Sequence, residues 1–560
     1  MTSLHDGQDA VPGTHPVPGT HPGPALDLLI AGGTVVDGGG GPARRADVGI
    51  AGDRIVAVGD LPRSAASRVL DVPGLVVAPG FVDAHGHSDV AVLSSPRVPS
   101  KIRQGITTEV MGNCGLGVAP FGVSVDPGEL RALLSIVDVD PGVEWRWRTV
   151  AEYLGVVEAH GSAFNVAMLA GNLPIRASCC GYGDRPATAT EVAGMQEMTD
   201  QALSDGAVGL SCGLMYPPNA YAGTDELVAL GEVVARHGAM FAFHLRDYGD
   251  QLLESVDEAL AVAERSGCRV QISHLTVLGE RNWGKVSAAL KRIDAVAARG
   301  ADVAVDCYPY LAGSTNMTQM LPRWTLDGGN DALLERLGNP GERRRIGAEL
   351  EAGRLQDWNG VLVVGGSLGA TADDLMGRSV ADIAAARGVP PAEAFLQVVE
   401  QSAGSAVMVA FGRSEQDLRA VLAHPRSMIG SDGLGLDPDG PSGGGMPHPR
   451  SYGCYPRLLG RYVRDLGALS LEAAVHKATF QVAERFGIPD RGLIAPGWIA
   501  DLVVFDPARI TDPATFTDPQ QMAVGVEAVT VSGRLAVERG TQSGELAGVV
   551  LRRRTGGQAI

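Results

Sequence analysis

The feature that most limits the fold of this chain is a repeated alternation of short apolar runs with longer stretches rich in Ala, Leu, Glu and Arg. Such alternation is typical of βα units, whose parallel strands share one sheet covered by helices. Eight consecutive units close naturally into a (β/α)8 TIM barrel of the α/β class. The predicted strands cover residues 75–83, 105–113, 164–171, 207–211, 239–245, 269–275, 302–308 and 426–431.

Three further segments surround this predicted barrel, which extends over 74–490. Short β runs interrupted by glycines occur at 26–73 and again at 491–560, and they predict a small β-sandwich domain formed from both chain ends. More than a hundred residues separate the last two predicted strands, which predicts an inserted lid subdomain over 316–425. Residues 1–25 carry VPGTHP twice in tandem and predict a disordered Pro/Gly-rich leader.

Charge and cysteine content narrow the class of protein. The formal net charge of -18 disfavours binding to phosphate backbones and to anionic membranes, so neither nucleic acid nor a membrane is expected as a partner. Every apolar run is shorter than the roughly 18 residues that a membrane span needs. Seven cysteines are few and odd in number, which is atypical of a disulfide-bonded secreted protein. We therefore expect a cytoplasmic protein.

Metal-binding side chains follow several of the predicted strands. The ends of barrel strands converge on one mouth, so residues there can share a site. His85 and His87 lie two residues apart in an extended segment, which lets both imidazoles reach one ion. Six nitrogen, sulfur and oxygen donors at one mouth predict a site for one or two zinc ions. The other four donors are Cys114, His244, His274 and Asp432.

Each donor also has a purely structural interpretation. A free cysteine is usually a small buried hydrophobe, a lone histidine is often a core residue, and Asp432 with Gly433 forms a common turn dipeptide. Donors at five of the eight strand ends favour the metal site. Binuclear zinc barrels often use a carboxylated lysine on strand four, but no lysine occurs between Lys101 and Lys285. Cys114 is the best replacement, since a thiolate binds zinc tightly.

A set of ordered motifs carries a resemblance to a known family. The motifs are APGFVDAHGHSD (78–89), GITTEVMGNCGLGVAP (105–120), GLMYPPNAYAGTDEL (213–227), HLRDYGD (244–250), DCYPYLAGST (306–315), IGSDG (429–433) and HPRSYGCYPRLLGRYVRD (448–465). With these motifs the chain, from about residue 26 to 555, resembles the D-aminoacylase (N-acyl-D-amino-acid deacylase) family of the amidohydrolase superfamily. The cysteine inside GNCG and the HPR segment are specific to this branch.

The resemblance implies how the donors are divided and what they do. Cys114, His244 and His274 would hold one tightly bound zinc ion, and His85, His87 and Asp432 would surround a second, weaker position. Asp432 would also act as general base and then general acid. The implied reaction is hydrolysis of the linear amide of N-acyl-D-amino acids, or of related D-configured amides, by a metal-activated water.

The resemblance also implies a site for a small-molecule amide with a free carboxylate. Residues matching Arg450, Tyr308 and Ser314 bind the substrate α-carboxylate in that family, and an arginine suits a two-pronged carboxylate contact. Arg246, two residues after His244, is expected to face the same pocket. The chain departs from the family pattern at three positions, which leave the acyl group and side chain open: Thr276, Asn172 and Cys212.

Two alternative functions compete with this interpretation. A cyclic-amide hydrolase or a D-residue-specific dipeptidase of the same superfamily would use a similar site, although the missing strand-four lysine disfavours the usual hydantoinase design. A barrel without catalysis that acts as a scaffold would need none of the six donors. The retention of all six, with Asp432 among them, favours an enzyme.

Overall fold

A computed structural model describes residues 25–553, so the predicted leader lies outside the described residues except for residue 25. The predicted α/β fold class is confirmed, because eight parallel strands follow one another around a single barrel sheet. Each predicted strand has its counterpart in that sheet. The barrel strands are Phe81–Asp83, Ile106–Met111, Asn165–Gly171, Gly209–Gly213, Met240–His244, Arg269–Ile272, Val303–Cys307 and Ser427–Ile429.

The first predicted strand, 75–83, divides between two sheets. Val76–Pro79 pairs with a sandwich strand, whereas Phe81–Asp83 pairs in parallel with the second barrel strand. Gly80 lies at the junction, where a Cβ atom would come within 2.2 Å of the Thr107 side chain. Only glycine fits this close approach. It allows one continuous apolar run to pass from the sandwich sheet into the barrel sheet.

Backbone hydrogen bonds join the two ends of the barrel sheet. The amide of Ala84 donates to the carbonyl of Ile429 at 3.3 Å, and the amide of His87 donates to that of Gly433 at 3.1 Å. Closure therefore brings the end of the first strand, which carries the HGH segment, beside the end of the eighth strand, which carries Asp432.

Helices cover the outside of the barrel and of its loops, with apolar faces that pack on the strands. Two of them begin with capping boxes, in which Thr149 pairs with Glu152 and Thr188 pairs with Glu191. A π-helix, Leu458–Asp465, continues directly from Arg450–Arg457. The remaining helices are Ala91–Ser94, Pro99–Ile102, Pro127–Leu133, Val150–His160, Asn172–Cys180, Ala189–Ser204, Thr224–Arg236, Leu252–Ser266, Lys285–Ala297, Glu415–Ala423, Leu471–Ala478 and Phe480–Phe486.

Both chain ends contribute to a β-sandwich, as the sequence predicts. One sheet contains Leu26–Ala31, Asp47–Ala51, Arg54–Gly59 and Ala66–Asp71. The other contains Thr34–Val35, Arg44–Arg45, Val76–Pro79, Leu502–Phe505, Val526–Val531, Arg534–Glu538 and Thr541–Gln542. Buried side chains from both ends, Val48 and Leu502 among them, share one apolar cluster. After the last strand, the amide of Leu551 donates to Val166 of the third barrel strand at 2.7 Å.

The inserted lid has its own sheet and its own apolar core, with Phe395 and Ile346 fully buried in it. Its antiparallel strands are Ala312–Asn316, Val361–Gly365 and Val407–Phe411. Its helices are Gly329–Gly338, Pro340–Gly353, Ala372–Leu375, Val380–Arg387 and Pro391–Gln401. The lid sheet therefore starts before residue 316, and Glu415–Ala423 packs on the barrel instead. The domain limits stay a prediction.

Within residues 25–553, no helix combines the length and apolar character that crossing a membrane requires.

A buried ion cluster lies where the barrel closes. The Lys101 ammonium donates to Asp83 Oδ2 at 3.0 Å and to Ser431 Oγ at 2.8 Å, and it lies 3.1 Å from Glu109 Oε2. Lys101 and both carboxylates are fully buried. Since Asp83, Glu109 and Ser431 follow or belong to the first, second and eighth strands, one cation links all three.

We expect Lys101→Met to destabilise the barrel strongly, because it leaves two buried carboxylates without their cation. Removing one partner of a buried ion pair costs about 3–5 kcal/mol. The measurement is the midpoint of urea unfolding, with Lys291→Met, at an exposed lysine, as the matched control. Equal midpoints for the two variants would contradict the role assigned to Lys101.

Candidate metal centre and active site

Four of the predicted donors meet at the mouth of the barrel. His85, Cys114, His274 and Asp432 each offer one ligand atom, and these atoms all lie within 4.8 Å of one another. The Cys114 sulfur lies 3.3 Å from His85 Nε2 and 3.4 Å from His274 Nε2. All four residues are buried. Thiolate, imidazole and carboxylate together form a donor set that suits Zn²⁺.

The other two predicted donors lie beside this group. His87 Nε2 is 3.1 Å from Asp432 Oδ1, and the His244 ring packs at 4.6 Å, centroid to centroid, on the His274 ring. The His244 Nε2 atom lies 3.4 Å from the sulfur of Met215. The structure thus brings all six donors to one mouth. It groups them differently from the division implied by the resemblance, and that division stays a prediction.

Three of the candidate ligands have left-handed backbone conformations. The φ angles are 57° at Cys114, 35° at His274 and 49° at Asp432. Residues other than glycine rarely adopt such angles, and they cluster at functional sites when the surroundings hold them. The surroundings here are specific, since the His274 amide donates to Asp306 Oδ1 at 2.7 Å and the Asp432 amide donates to the His85 carbonyl at 2.7 Å.

Gly86 lets the two histidines of the HGH segment lie close to the second strand. A Cβ atom on Gly86 would lie 2.1 Å from Glu109 Oε1, so no larger residue fits. The same Glu109 oxygen accepts a hydrogen bond from the Ser88 amide at 3.0 Å. The segment that carries His85 and His87 is therefore held against a carboxylate that lies 3.1 Å from the Lys101 ammonium.

Burial sets the protonation of two of the imidazole donors and of the thiol donor. It lowers the pKa of His244 to about 3 and holds the pKa of His274 well below its ordinary value. Both rings are therefore neutral, which is the form that binds metals. Burial raises the pKa of the Cys114 thiol, so a cation at its sulfur is needed to stabilise the thiolate.

Asp432 is held in its charged form by its neighbours. Burial alone would raise its pKa, but the Arg450 guanidinium and the hydrogen bond with His87 hold the pKa well below the usual range. Arg450 Nη1 donates to Asp432 Oδ2 at 2.6 Å. Arg450 Nη2 also donates to the Ser314 carbonyl at 3.4 Å. Asp432 is therefore an ionised carboxylate, and its oxygens lie beside the other candidate metal ligands.

A cavity of about 880 Å³ opens above the donors. Its walls come from barrel residues such as His244 and Asp432 and from lid residues such as Leu355 and Val407, so a bound molecule would lie between the two. The predicted carboxylate-binding residues are all on this wall: Tyr308, Ser314 and Arg450. The Arg450 guanidinium carbon lies 4.6 Å from the centroid of the Tyr308 ring.

Arg246 is not on the cavity wall. Its guanidinium is occupied by Glu258, at 2.9 and 3.0 Å, and by the carbonyls of Ala220 and Ala222. The expectation that it faces the pocket assumed strand geometry, but the fifth strand ends at His244 and the alternation of side chains ends with it. The structure therefore gives no support to a contact between Arg246 and the substrate.

The three departures from the family pattern are not equivalent in space. Thr276 lies on the cavity wall. Asn172 and Cys212 are buried and do not line the cavity, and the Asn172 amide contacts the Cys212 sulfur at 3.6 Å. Of the three, only Thr276 is placed to touch a molecule in the cavity.

Sequence reasoning missed Asp306 and Arg413. Asp306 Oδ1 lies 3.2 Å from His85 Nδ1, an arrangement that orients a ligand imidazole. The available signal was an acidic residue inside an otherwise apolar strand, VAVDC. Arg413 is on the cavity wall, next to Tyr308. No local motif marks it, since it lies in the connection that leads from the lid back to the barrel.

Comparisons with known proteins agree with this geometry. The model of the amidohydrolase family matches residues 68–537. D-aminoacylase of Alcaligenes xylosoxydans xylosoxydans is 37% identical over 94% of this chain and 98% of its own length. N-acyl-D-glutamate deacylase of the same organism is 38% identical over 91% of this chain and 93% of its own length.

A solved structure is similar over the same extent. N-acyl-D-glutamate deacylase from Bordetella bronchiseptica, in complex with zinc and a phosphonate inhibitor that mimics the tetrahedral intermediate, has a TM-score of 0.78 and 33% identity. The match covers 94% of this chain and 100% of that chain. Because the family model spans most of the chain and these relatives are matched nearly end to end, the chain belongs to the amidohydrolase family.

Proposed function

We propose that the protein is a zinc-dependent amidohydrolase that cleaves the linear amide of N-acyl-D-amino acids or related D-configured amides. The observation that carries this proposal is the group of buried donors, His85, Cys114, His274 and Asp432, at the base of a cavity with an arginine on its wall. The similarity to D-aminoacylase and to N-acyl-D-glutamate deacylase supports the D configuration and the linear amide.

Zn²⁺ is the proposed cofactor, with one tightly bound ion and a second, weaker position. Cys114 and His274 are the best-supported ligands, because they belong both to the four-donor group and to the set implied by the family resemblance. His85, His87, His244 and Asp432 complete the two positions. When bound, zinc polarises the amide carbonyl and lowers the pKa of a water molecule toward neutrality.

Asp432 is the proposed general base and general acid. As a carboxylate it accepts one proton from the water whose oxygen attacks the amide carbon. It then gives that proton to the amine nitrogen as the C–N bond breaks. The products are a carboxylic acid and a free D-amino acid, and no covalent bond to the protein forms. Arg450, through its contact with Asp432, keeps this base ionised.

Tyr308, Ser314 and Arg450 are proposed to bind the substrate α-carboxylate. A guanidinium and a phenol hydroxyl can together hold a carboxylate in one orientation. With the carboxylate and the scissile carbonyl both held, only one arrangement around the α-carbon leaves the side chain in the cavity. This fixed geometry is the proposed source of selection for D over L substrates.

A cytoplasmic location is also proposed. All seven cysteines are free thiols, and this state suits a reducing compartment.

The proposed reaction is tested with matched pairs of N-acetyl-D- and N-acetyl-L-amino acids. We expect release of free amine from the D forms and a rate at least about 100-fold lower from the L forms, since a misplaced reacting centre costs at least that much. Hydantoins and D-containing dipeptides serve as comparison substrates. Preferential hydrolysis of the L forms, or of cyclic amides, would contradict the proposal.

Cys114→Ala should release most of the bound zinc, because the thiolate is the strongest ligand of the group. Metal content is measured by atomic spectroscopy after dialysis. Cys268→Ala is the control, since Cys268 is equally buried but lies outside the cavity. Zinc content equal to that of the control would show that the donor group is wrongly assigned.

Asp432→Asn should retain the tightly bound zinc and lower kcat by about 10²- to 10⁴-fold, the contribution expected from a lost general base. Asp138→Asn, at a cavity carboxylate paired with Arg131, is the control and should keep its activity. Turnover by Asp432→Asn close to that of the control would exclude Asp432 as the base.

A further inference from the structure

We propose that Arg413 binds a second acidic group of the substrate, so that the preferred substrates are N-acyl derivatives of D-amino acids with acidic side chains. This inference rests on the proposed function and specifies its substrate class. The relatives do not decide the matter, because the chain is 37% identical to a D-aminoacylase, 38% identical to an N-acyl-D-glutamate deacylase and 36% identical to an N-acyl-D-aspartate deacylase.

The position of Arg413 places its charge next to the α-carboxylate site. The residue follows the last lid strand, Val407–Phe411, and its guanidinium carbon lies 4.7 Å from the centroid of the Tyr308 ring. A Cβ atom on Gly313 would lie 2.5 Å from Arg413 Nη2 and 3.6 Å from the Tyr308 hydroxyl. The guanidinium and this hydroxyl therefore lie close together over Gly313, immediately before Ser314.

Among the described residues, Arg413 differs from the other arginines of the cavity in having no carboxylate partner. Arg131 pairs with Asp138 at 2.7 Å, Arg354 with Glu351 at 3.2 Å, and Arg450 with Asp432 at 2.6 Å. Across residues 25–553, no Asp or Glu forms an ion pair with Arg413, and its buried Nε atom lacks a hydrogen-bond partner. Within the described part of the chain, the wall therefore carries one cation without a carboxylate partner.

The neighbouring titratable groups do not supply the missing anion. Burial raises the pKa of the Tyr308 phenol in spite of the two arginines, so the phenol stays protonated. Burial, followed by Arg450 and Arg413, holds the pKa of His448 well below its usual range. Its ring is therefore neutral, and its Nδ1 accepts a hydrogen bond from the Arg450 amide at 3.0 Å.

A substrate carboxylate is the natural partner for such a cation. An unpaired guanidinium that is partly removed from water is costly, and a carboxylate satisfies it with charge-assisted hydrogen bonds in a two-pronged geometry. In the proposed function the α-carboxylate contacts Arg450, Tyr308 and Ser314. Arg413 lies beside the same ring, so two carboxylates separated by a short chain, as in D-glutamate or D-aspartate, can reach both arginines.

The test compares N-acetyl-D-glutamate with N-acetyl-D-glutamine, which have nearly the same shape and differ in the charge of one group. The wild type should prefer the glutamate by about 10- to 100-fold in kcat/KM, the ratio expected from one charged hydrogen-bonded contact. Arg413→Met should lose this preference by lowering kcat/KM for the glutamate alone. Arg413→Lys, which keeps the charge, should retain part of it.

Arg354→Met is the matched control, because Arg354 lies on the same cavity wall but is already paired with Glu351. It should keep the wild-type preference. Equal losses on both substrates in Arg413→Met, or a wild type that does not distinguish them, would overturn the inference and leave the proposed function intact. Absence of turnover of both substrates by the wild type would overturn the proposed function, and this inference with it.

Discussion

The buried ammonium of Lys101 is the interaction on which the site depends. It pairs with Asp83, which lies two residues before His85, and with Glu109, against which the HGH segment packs. Through Ser431 it also reaches the residue before Asp432. One cation beneath the mouth thus sets the positions of donors that come from distant parts of the chain. Its contacts with both carboxylates offset part of the desolvation cost of burying these strand ends.

Above that cluster, burial and nearby charges give the donors different protonation states. The imidazoles of His244 and His274 are kept neutral, whereas Asp432 is kept ionised by Arg450. A buried carboxylate in contact with an arginine therefore stays ionised near neutral pH, which is the form that can accept a proton. The same surroundings leave the thiol of Cys114 dependent on a bound cation for its charge. Acid–base function and metal affinity therefore arise from one desolvated pocket.

The barrel and the meeting of the six candidate donors at its mouth could be predicted from sequence, because both follow from the positions of the strands. Strand runs have a regular pattern, and residues at the C-terminal ends of barrel strands lie at the mouth, independently of residues far away in the sequence. Arg246 failed this logic since its strand had already ended, and Asp306 was missed because it orients a donor from within a strand. The partition of 75–83 between two sheets depends on Gly80 facing Thr107, a contact that no local pattern reveals.

Arg413 shows the remaining limit most clearly. Its significance is that residues 25–553 supply no carboxylate partner for it, and a missing ion pair becomes visible only when the neighbours in space are known. It also lies outside the barrel proper, where the lid returns, while the donors and Asp432 lie at the strand ends. The residues proposed for catalysis and the residue proposed to recognise substrate charge thus lie in different parts of the chain. Since the lid connection has few constraints from the barrel sheet, an arginine there can change substrate preference without disturbing the metal donors or the base.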